Sequence, residues 1–120
     1  MKTILVVEDS PTERRIIESV LEAAGWSVLH AEDGEEGLRK AALDRPDLIL
    51  LDVVLPGKNG FQVCRKLKKD QETGSIPVVL LTSKNQESDR YWGMKQGADA
   101  YLTKPVDEQL LAETVRGLMP

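Results

Sequence analysis

The sequence predicts an α/β fold, a doubly wound sheet of five parallel strands with five helices. One observation is that apolar runs and amphipathic stretches alternate five times along the 120 residues, as they do in repeated strand and helix units. Another is the segment 47–52, in which two aspartates enclose the run Leu-Ile-Leu-Leu. Such a run is typical of a central parallel strand that is buried on both faces.

Composition limits the possible functions before any motif is considered. The chain is long enough for one domain, residues 1–120, with a sizeable core. Its 16 basic and 20 acidic side chains give a net charge of −4, which disfavours nucleic-acid binding and attachment to anionic membranes. A small ligand or a protein partner is therefore the better expectation.

Signals for export, membrane insertion and redox chemistry are weak. The single cysteine, Cys64, has helical spacing with Phe61 and Leu67 and is expected to be a buried thiol. Only four successive apolar residues stand near the N-terminus, too few for a signal peptide, and no run approaches membrane-spanning length. We therefore expect a cytoplasmic protein.

The first strand covers residues 3–7 and ends in Glu8 and Asp9. Ser10 then supplies an N-cap for the first helix, Pro11 its first position and Glu13 the acid of a capping box. Gly25 ends this helix, and residues 26–31 form a short second strand at the sheet edge. The apolar stripe of the helix is expected to be buried, and comprises Ile16, Ile17, Val20, Leu21 and Ala24.

The remaining elements follow the same alternation. Asp33 caps a second helix that Pro46 ends, the central strand follows, and a third helix begins after Gly60. A fourth strand covers residues 78–81, a weakly apolar helix residues 86–96, and a last strand residues 100–102. Residues 68–75 form a solvated helix end and loop. Asp107 caps the fifth helix, whose predicted buried residues are Leu110, Leu111, Thr114, Val115 and Leu118.

Polar residues follow four of the five strands. Because right-handed crossovers put all carboxyl ends of parallel strands at one edge, these residues meet there. They are Glu8, Asp9, Asp52, Thr82 and Lys104. Three carboxylates need a cation, and hard oxygen ligands with open positions suit Mg²⁺. The turn-rich loop after Asp52 is expected to leave its carboxylate open to solvent.

This set of groups predicts phosphoryl transfer onto a carboxylate. A metal and Lys104 would neutralise the phosphoryl oxygens, and the hydroxyl of Thr82 would donate a hydrogen bond. Asp52 would attack in line, and the product would be an acyl phosphate.

At these positions the chain resembles the receiver domains of bacterial response regulators, the CheY-like family, over essentially its whole length. The resemblance implies the flavodoxin-like strand order 2-1-3-4-5 and an Asp52 that accepts a phosphoryl group from a histidine kinase or a histidine phosphotransfer domain. It also implies a switch residue at Tyr101 and a cis peptide between Lys104 and Pro105. By the same resemblance, Mg²⁺ is held by Glu8, Asp9, Asp52 and the backbone carbonyl of Val54, and the phosphoryl group is contacted by Lys104 and Thr82.

The resemblance is strongest to stand-alone, PilH-like receivers of type IV pilus and chemosensory systems. It implies a protein that is not a turnover enzyme, with output in motility signalling through docking of a protein target on the face of helix four, strand five and helix five. Phosphorylation is expected to pull Thr82 inward and to let Tyr101 rotate from an exposed to a buried position.

Two other functions stay open at this stage. A phosphorylation-independent scaffold of the same fold would lack part of the site, and none of it is missing. A Mg²⁺-dependent aspartyl-phosphate phosphatase would need a second aspartate where Val54 stands. Tyr91 and Trp92 on the fourth helix are explained by packing or by a protein interface. His30 is expected to be an ordinary, partly exposed residue.

Overall fold

The computed structural model describes residues 2–119. Its five parallel strands form one sheet in the order β2-β1-β3-β4-β5 with five helices, so the predicted fold class and strand order are confirmed. Along the chain the elements are β1 (Thr3–Val7), α1 (Pro11–Ala23), β2 (Ser27–Ala31), α2 (Gly34–Asp44), β3 (Leu48–Leu51), α3 (Gly60–Lys69), β4 (Val78–Thr82), α4 (Glu87–Lys95), β5 (Ala100–Thr103) and α5 (Glu108–Leu118).

Strand β3 lies at the centre of the sheet, between β1 and β4. All four of its residues are buried, as the apolar run predicted. Alternate side chains point to opposite faces, so Ile49 and Leu51 join one core cluster while Leu48 and Leu50 join the other. Helices cover both faces of the sheet, so β3 is enclosed by its two neighbouring strands and by the two core clusters.

Each helix begins at the carboxyl edge of the sheet, where side chains cap the exposed backbone N–H groups. Ser10, Asp33, Asn59 and Asp107 accept hydrogen bonds from the backbone N–H groups three residues on. The predicted capping box at Ser10 is only half right. The Ser10 N–H donates to Glu8 Oε2 at 3.1 Å, whereas the Glu13 carboxylate, expected at this N–H, accepts from Lys104.

Two residues predicted to be buried are exposed. Ile16 on α1 is 46 % exposed and Leu110 on α5 is 47 % exposed. Each precedes a buried residue, Ile17 or Leu111, and consecutive helix positions are turned about 100° apart, so the first of each pair lies at the rim of the helix contact. Smaller deviations are Ala24, Thr114 and Leu118, which are half-buried.

The loop between α3 and β4 is less solvated than predicted. The Thr73 hydroxyl is buried and donates to the carbonyl of Leu67 at 2.7 Å. Cys64 is buried, as expected. The Lys104-Pro105 peptide is cis, as predicted. No helix within residues 2–119 combines the length and the apolar character that crossing a bilayer requires.

Candidate functional site

The sheet register brings the predicted polar residues to one edge. Val7 pairs with Leu51, which places the following residues, Glu8 and Asp52, side by side. Thr82 ends β4 and pairs with Thr103 on β5. The next residue, Lys104, donates its backbone N–H to the carbonyl of Thr82 at 2.9 Å. Glu8, Asp52, Thr82 and Lys104 therefore share this edge, as expected.

Lys104 is the centre of the side-chain contacts. Its Nζ lies 2.9 Å from Asp52 Oδ2 and 3.1 Å from Glu13 Oε2, and it also donates to Glu8 Oε1. The side chains of Glu8 and Asp52 are only 2 % and 7 % exposed, whereas that of Glu13 is 46 % exposed. One ammonium thus holds three carboxylates, two of them in the interior.

The pKa values of the cluster reflect burial and mutual pairing. Burial raises the pKa of Glu8 to about 6, although the hydrogen bond from Lys104 opposes this shift. Burial alone would lower the pKa of Lys104, but its hydrogen bonds to Glu8 and Asp52 outweigh that effect and raise it above the ordinary value. Lys104 is therefore a permanent cation in a site rich in negative charge.

The loop after β3 holds Asp52 in place and covers it. Its Oδ1 accepts a hydrogen bond from the N–H of Val54 at 3.1 Å, while Gly60 donates to the carbonyl of Val53 at 2.8 Å. Gly60 packs so closely that a Cβ there would lie 2.1 Å from the Asp52 carbonyl oxygen, which requires glycine. Asp52 is only 6 % exposed, so the expectation of an open carboxylate is wrong, because Lys104 and this loop cover it.

The carboxylates that converge differ from the predicted set. Oxygen atoms of Glu8, Glu13 and Asp52 lie within 4.8 Å of one another, a group that could hold a metal ion. Hard, anionic oxygen donors of this kind fit Mg²⁺. Asp9 is exposed and lies outside this group. Sequence reasoning missed Glu13, although it stands in the first turn of a helix that begins at this edge, where side chains tilt back toward the strand ends.

Tyr101 is tied to the loop that follows β4. Its hydroxyl donates to the carbonyl of Lys84 at 2.7 Å, and the N–H of Lys84 lies 3.4 Å from the hydroxyl oxygen of Thr82. The guanidinium of Arg90 stands 5.2 Å from the Tyr101 ring centre. Burial raises the pKa of the Tyr101 hydroxyl.

The ring of Tyr101 is buried in this structure. The residue is 4 % exposed, whereas an exposed ring was expected before phosphorylation. Gly93 on α4 makes room for it, because a Cβ there would lie 2.9 Å from the ring. The sequence could not reveal this contact, since it depends on how α4 packs against β5.

A family comparison identifies the whole arrangement. The sequence pattern described as the response regulator receiver domain matches residues 4–116. The chain belongs to the response regulator receiver family. Receiver domains are signalling domains that take phosphoryl groups from histidine kinases, bind Mg²⁺ in an acidic pocket and act on protein targets.

Relatives and solved structures agree with this membership. The receiver is 50 % identical to protein PilH of Pseudomonas aeruginosa over 119 residues, 99 % of this chain and 98 % of PilH. It is 49 % identical to response regulator PleD of Caulobacter vibrioides, covering 96 % of this chain but only 25 % of PleD. Chemotaxis protein CheY4 of Vibrio cholerae superposes with a TM-score of 0.91 at 30 % identity, covering 98 % of both chains.

A second solved structure comes from a kinase. The signal receiver domain of a signal transduction histidine kinase from Syntrophus aciditrophicus has a TM-score of 0.92 at 39 % identity, covering 99 % of this chain and 90 % of that one. Predictions made from the resemblance to receivers therefore have the right family and fold.

Two further predictions concern residues on the surface of the receiver. Tyr91 and Trp92 on α4 are 64 % and 50 % exposed, so packing does not explain them and the interface interpretation is favoured. His30 on β2 is exposed, with Nδ1 3.8 Å from Glu18, and lies away from the site as expected.

Proposed function

We propose that this receiver accepts a phosphoryl group on Asp52 from the phosphohistidine of a histidine kinase or a histidine phosphotransfer domain. The observation that carries the proposal is the contact of 2.9 Å between Asp52 Oδ2 and Lys104 Nζ at a buried strand end. An oxygen of Asp52 forms the new bond to phosphorus while the bond from phosphorus to the donor nitrogen breaks, and the histidine leaves. Lys104 then neutralises a phosphoryl oxygen.

Magnesium is the proposed cofactor of this transfer. We assign it to Glu8, Asp9, Asp52 and the backbone carbonyl of Val54, and the support is the acidic character of this edge. The bound ion would supply further positive charge for the transferring phosphoryl group. The residues of the chain do the rest: Asp52 is the nucleophile, Lys104 holds its Oδ2, and the N–H of Val54 in the loop after β3 holds its Oδ1.

The proposed output is a change in affinity for a protein target. Thr82 would donate to the phosphoryl group as a switch residue, and its displacement would move Lys84, which Tyr101 also contacts. The target would lie on the face of α4, β5 and α5. A groove of about 270 Å³ there, lined by Arg90, Tyr101 and Leu110 among others, supports this assignment.

The phosphoryl group would stay on the protein until self-catalysed hydrolysis removes it, so the receiver acts as a phosphoacceptor rather than a turnover enzyme. The similarity to PilH-like receivers supports a cytoplasmic role in motility or chemosensory signalling.

Phosphoryl incorporation from acetyl phosphate, with and without Mg²⁺, separates this proposal from its rivals. A receiver accumulates one acid-stable, base-labile phosphoryl group only when Mg²⁺ is present. Continuous release of phosphate without accumulation would indicate a phosphatase. Absence of any label under both conditions would indicate a phosphorylation-independent scaffold.

A further inference from the structure

Glu13 stands out among the carboxylates around Lys104. It comes from α1 rather than from a strand end, and it lies 3.1 Å from Lys104 Nζ. Its side chain is 46 % exposed, while those of Glu8 and Asp52 are almost wholly buried. Glu13 therefore covers the solvent side of the ammonium group and is the one carboxylate of the three with access to water.

The hydrogen-bonding capacity of Lys104 makes this contact consequential. An ammonium has three N–H donors and no acceptor, and Glu8, Asp52 and Glu13 each take one. A phosphoryl group on Asp52 brings further acceptor oxygens to this ammonium, and any donor beyond the one that Asp52 already takes must come from Glu8 or Glu13. Release of Glu8 would leave a buried carboxylate without its cation, which is strongly unfavourable. Release of Glu13 lets its carboxylate turn into water, so Glu13 is the partner that can be exchanged.

We infer that Glu13 is a positioning residue that occupies the third donor of Lys104 in the unphosphorylated receiver and competes with the phosphoryl group for it. This inference rests on the proposed function. The contact slows phosphorylation in two ways, because Lys104 must first break it and because a third carboxylate repels an anionic phosphodonor. A partly exposed ion pair has a modest effect, so removal of Glu13 should accelerate phosphorylation roughly two- to fivefold.

Three variants test this competition with acetyl phosphate as the donor and saturating Mg²⁺. Glu13→Gln removes the charge at constant shape. Glu13→Asp keeps the charge but withdraws it by one methylene, so it separates the contact from repulsion at a distance. Glu108→Gln removes a neighbouring charge from the same groove, which Glu13, Lys104 and Glu108 all line, and serves as the matched control. Urea unfolding of each variant, compared with its phosphorylation rate, detects an effect that is only structural.

We expect both Glu13 variants to label faster than wild type at every donor concentration, and Glu108→Gln to label at the wild-type rate. Labelling of Glu13→Gln at the wild-type rate, or an equal acceleration by Glu108→Gln, would overturn the inference and leave the proposed function intact. A wild-type rate in Glu13→Asp would also overturn it, since repulsion alone would then explain the effect. If wild type itself takes no label, the inference and the proposed function fail together.

Discussion

The hydroxyl of Tyr101 donates to the backbone carbonyl of Lys84 across 2.7 Å, linking β5 to the loop that leads into α4. The backbone N–H of Lys84 donates to Thr82 Oγ1, with 3.4 Å between the nitrogen and the oxygen. Lys84 therefore stands between the predicted switch pair, and movement of Thr82 toward a phosphoryl group would disturb the Tyr101 contact. The two side chains are thus joined through the backbone of Lys84.

Tyr101→Phe removes this hydrogen bond without changing the ring. We expect a loss of about 1 kcal/mol in the free energy of unfolding, as for an average hydrogen bond, measured by urea denaturation. Tyr91→Phe is the matched control, because Tyr91 is 64 % exposed and should change stability by less than about 0.5 kcal/mol. Equal stability of the two variants would show that the Tyr101 contact does not hold the loop.

Lys104→Met should destabilise the receiver by about 3 kcal/mol at pH 8, because it leaves Glu8 and Asp52 buried without their cation. Saturating Mg²⁺ should restore more stability to this variant than it adds to wild type, since the metal would replace the missing positive charge. Thermal unfolding of both proteins, with and without Mg²⁺, measures the two effects. A variant as stable as wild type without Mg²⁺ would contradict the account of the cluster.

Magnesium should stabilise wild type by about 1.4 kcal/mol at ten times its dissociation constant, as a ligand that binds only the native state does. Asp9→Ala should lose this gain, and Glu13→Ala should keep it, if Asp9 is a ligand and Glu13 only a partner of Lys104. The opposite pattern would assign the ion to Glu8, Glu13 and Asp52, the group that lies within 4.8 Å. The free energy of unfolding is measured in calcium-free buffer, and addition of a chelator should remove the gain that Mg²⁺ gives.

Cys64 gives a prediction about alkaline pH. Burial raises the pKa of its thiol to about 11 from 9.0, so the folded state disfavours the thiolate. This contribution to stability is fully present below pH 9 and is lost as the pH rises through 11. The loss amounts to about 2 kcal/mol at pH 10.5. The stability advantage of wild type over Cys64→Ala, measured by urea unfolding, should therefore shrink between pH 8 and pH 10.5. A constant advantage would contradict it.

The fold could be predicted because its signals are local. Every residue from 48 to 51 is apolar, a pattern typical of a strand that is covered on both faces. Ser10, Asp33 and Asp107 cap helices that begin at the next residue. The strand ends then followed from topology, since parallel strands with right-handed crossovers share one carboxyl edge. Glu8, Asp52, Thr82 and Lys104 could thus be placed before any distance was known.

The parts that could not be predicted depend on contacts between distant segments. Glu13 matches a local capping pattern, yet its carboxylate pairs with Lys104, 91 residues away. The burial of Tyr101 depends on Gly93 and on the Lys84 carbonyl. Ile16 fits the apolar stripe of α1, but it lies at the rim of the helix contact and lines an open groove beside the residues after β5. Sequence periodicity does not show where that contact ends.

The central claim is that Asp52 becomes an acyl phosphate. Its most direct test is peptide mass spectrometry after incubation with acetyl phosphate and Mg²⁺ and reduction with borohydride, which converts an aspartyl phosphate into homoserine. We predict homoserine at position 52 in wild type, only with Mg²⁺ present, and unlabelled, folded protein for Asp52→Asn. Homoserine at another aspartate, or phosphoryl incorporation that persists in Asp52→Asn, would contradict the account.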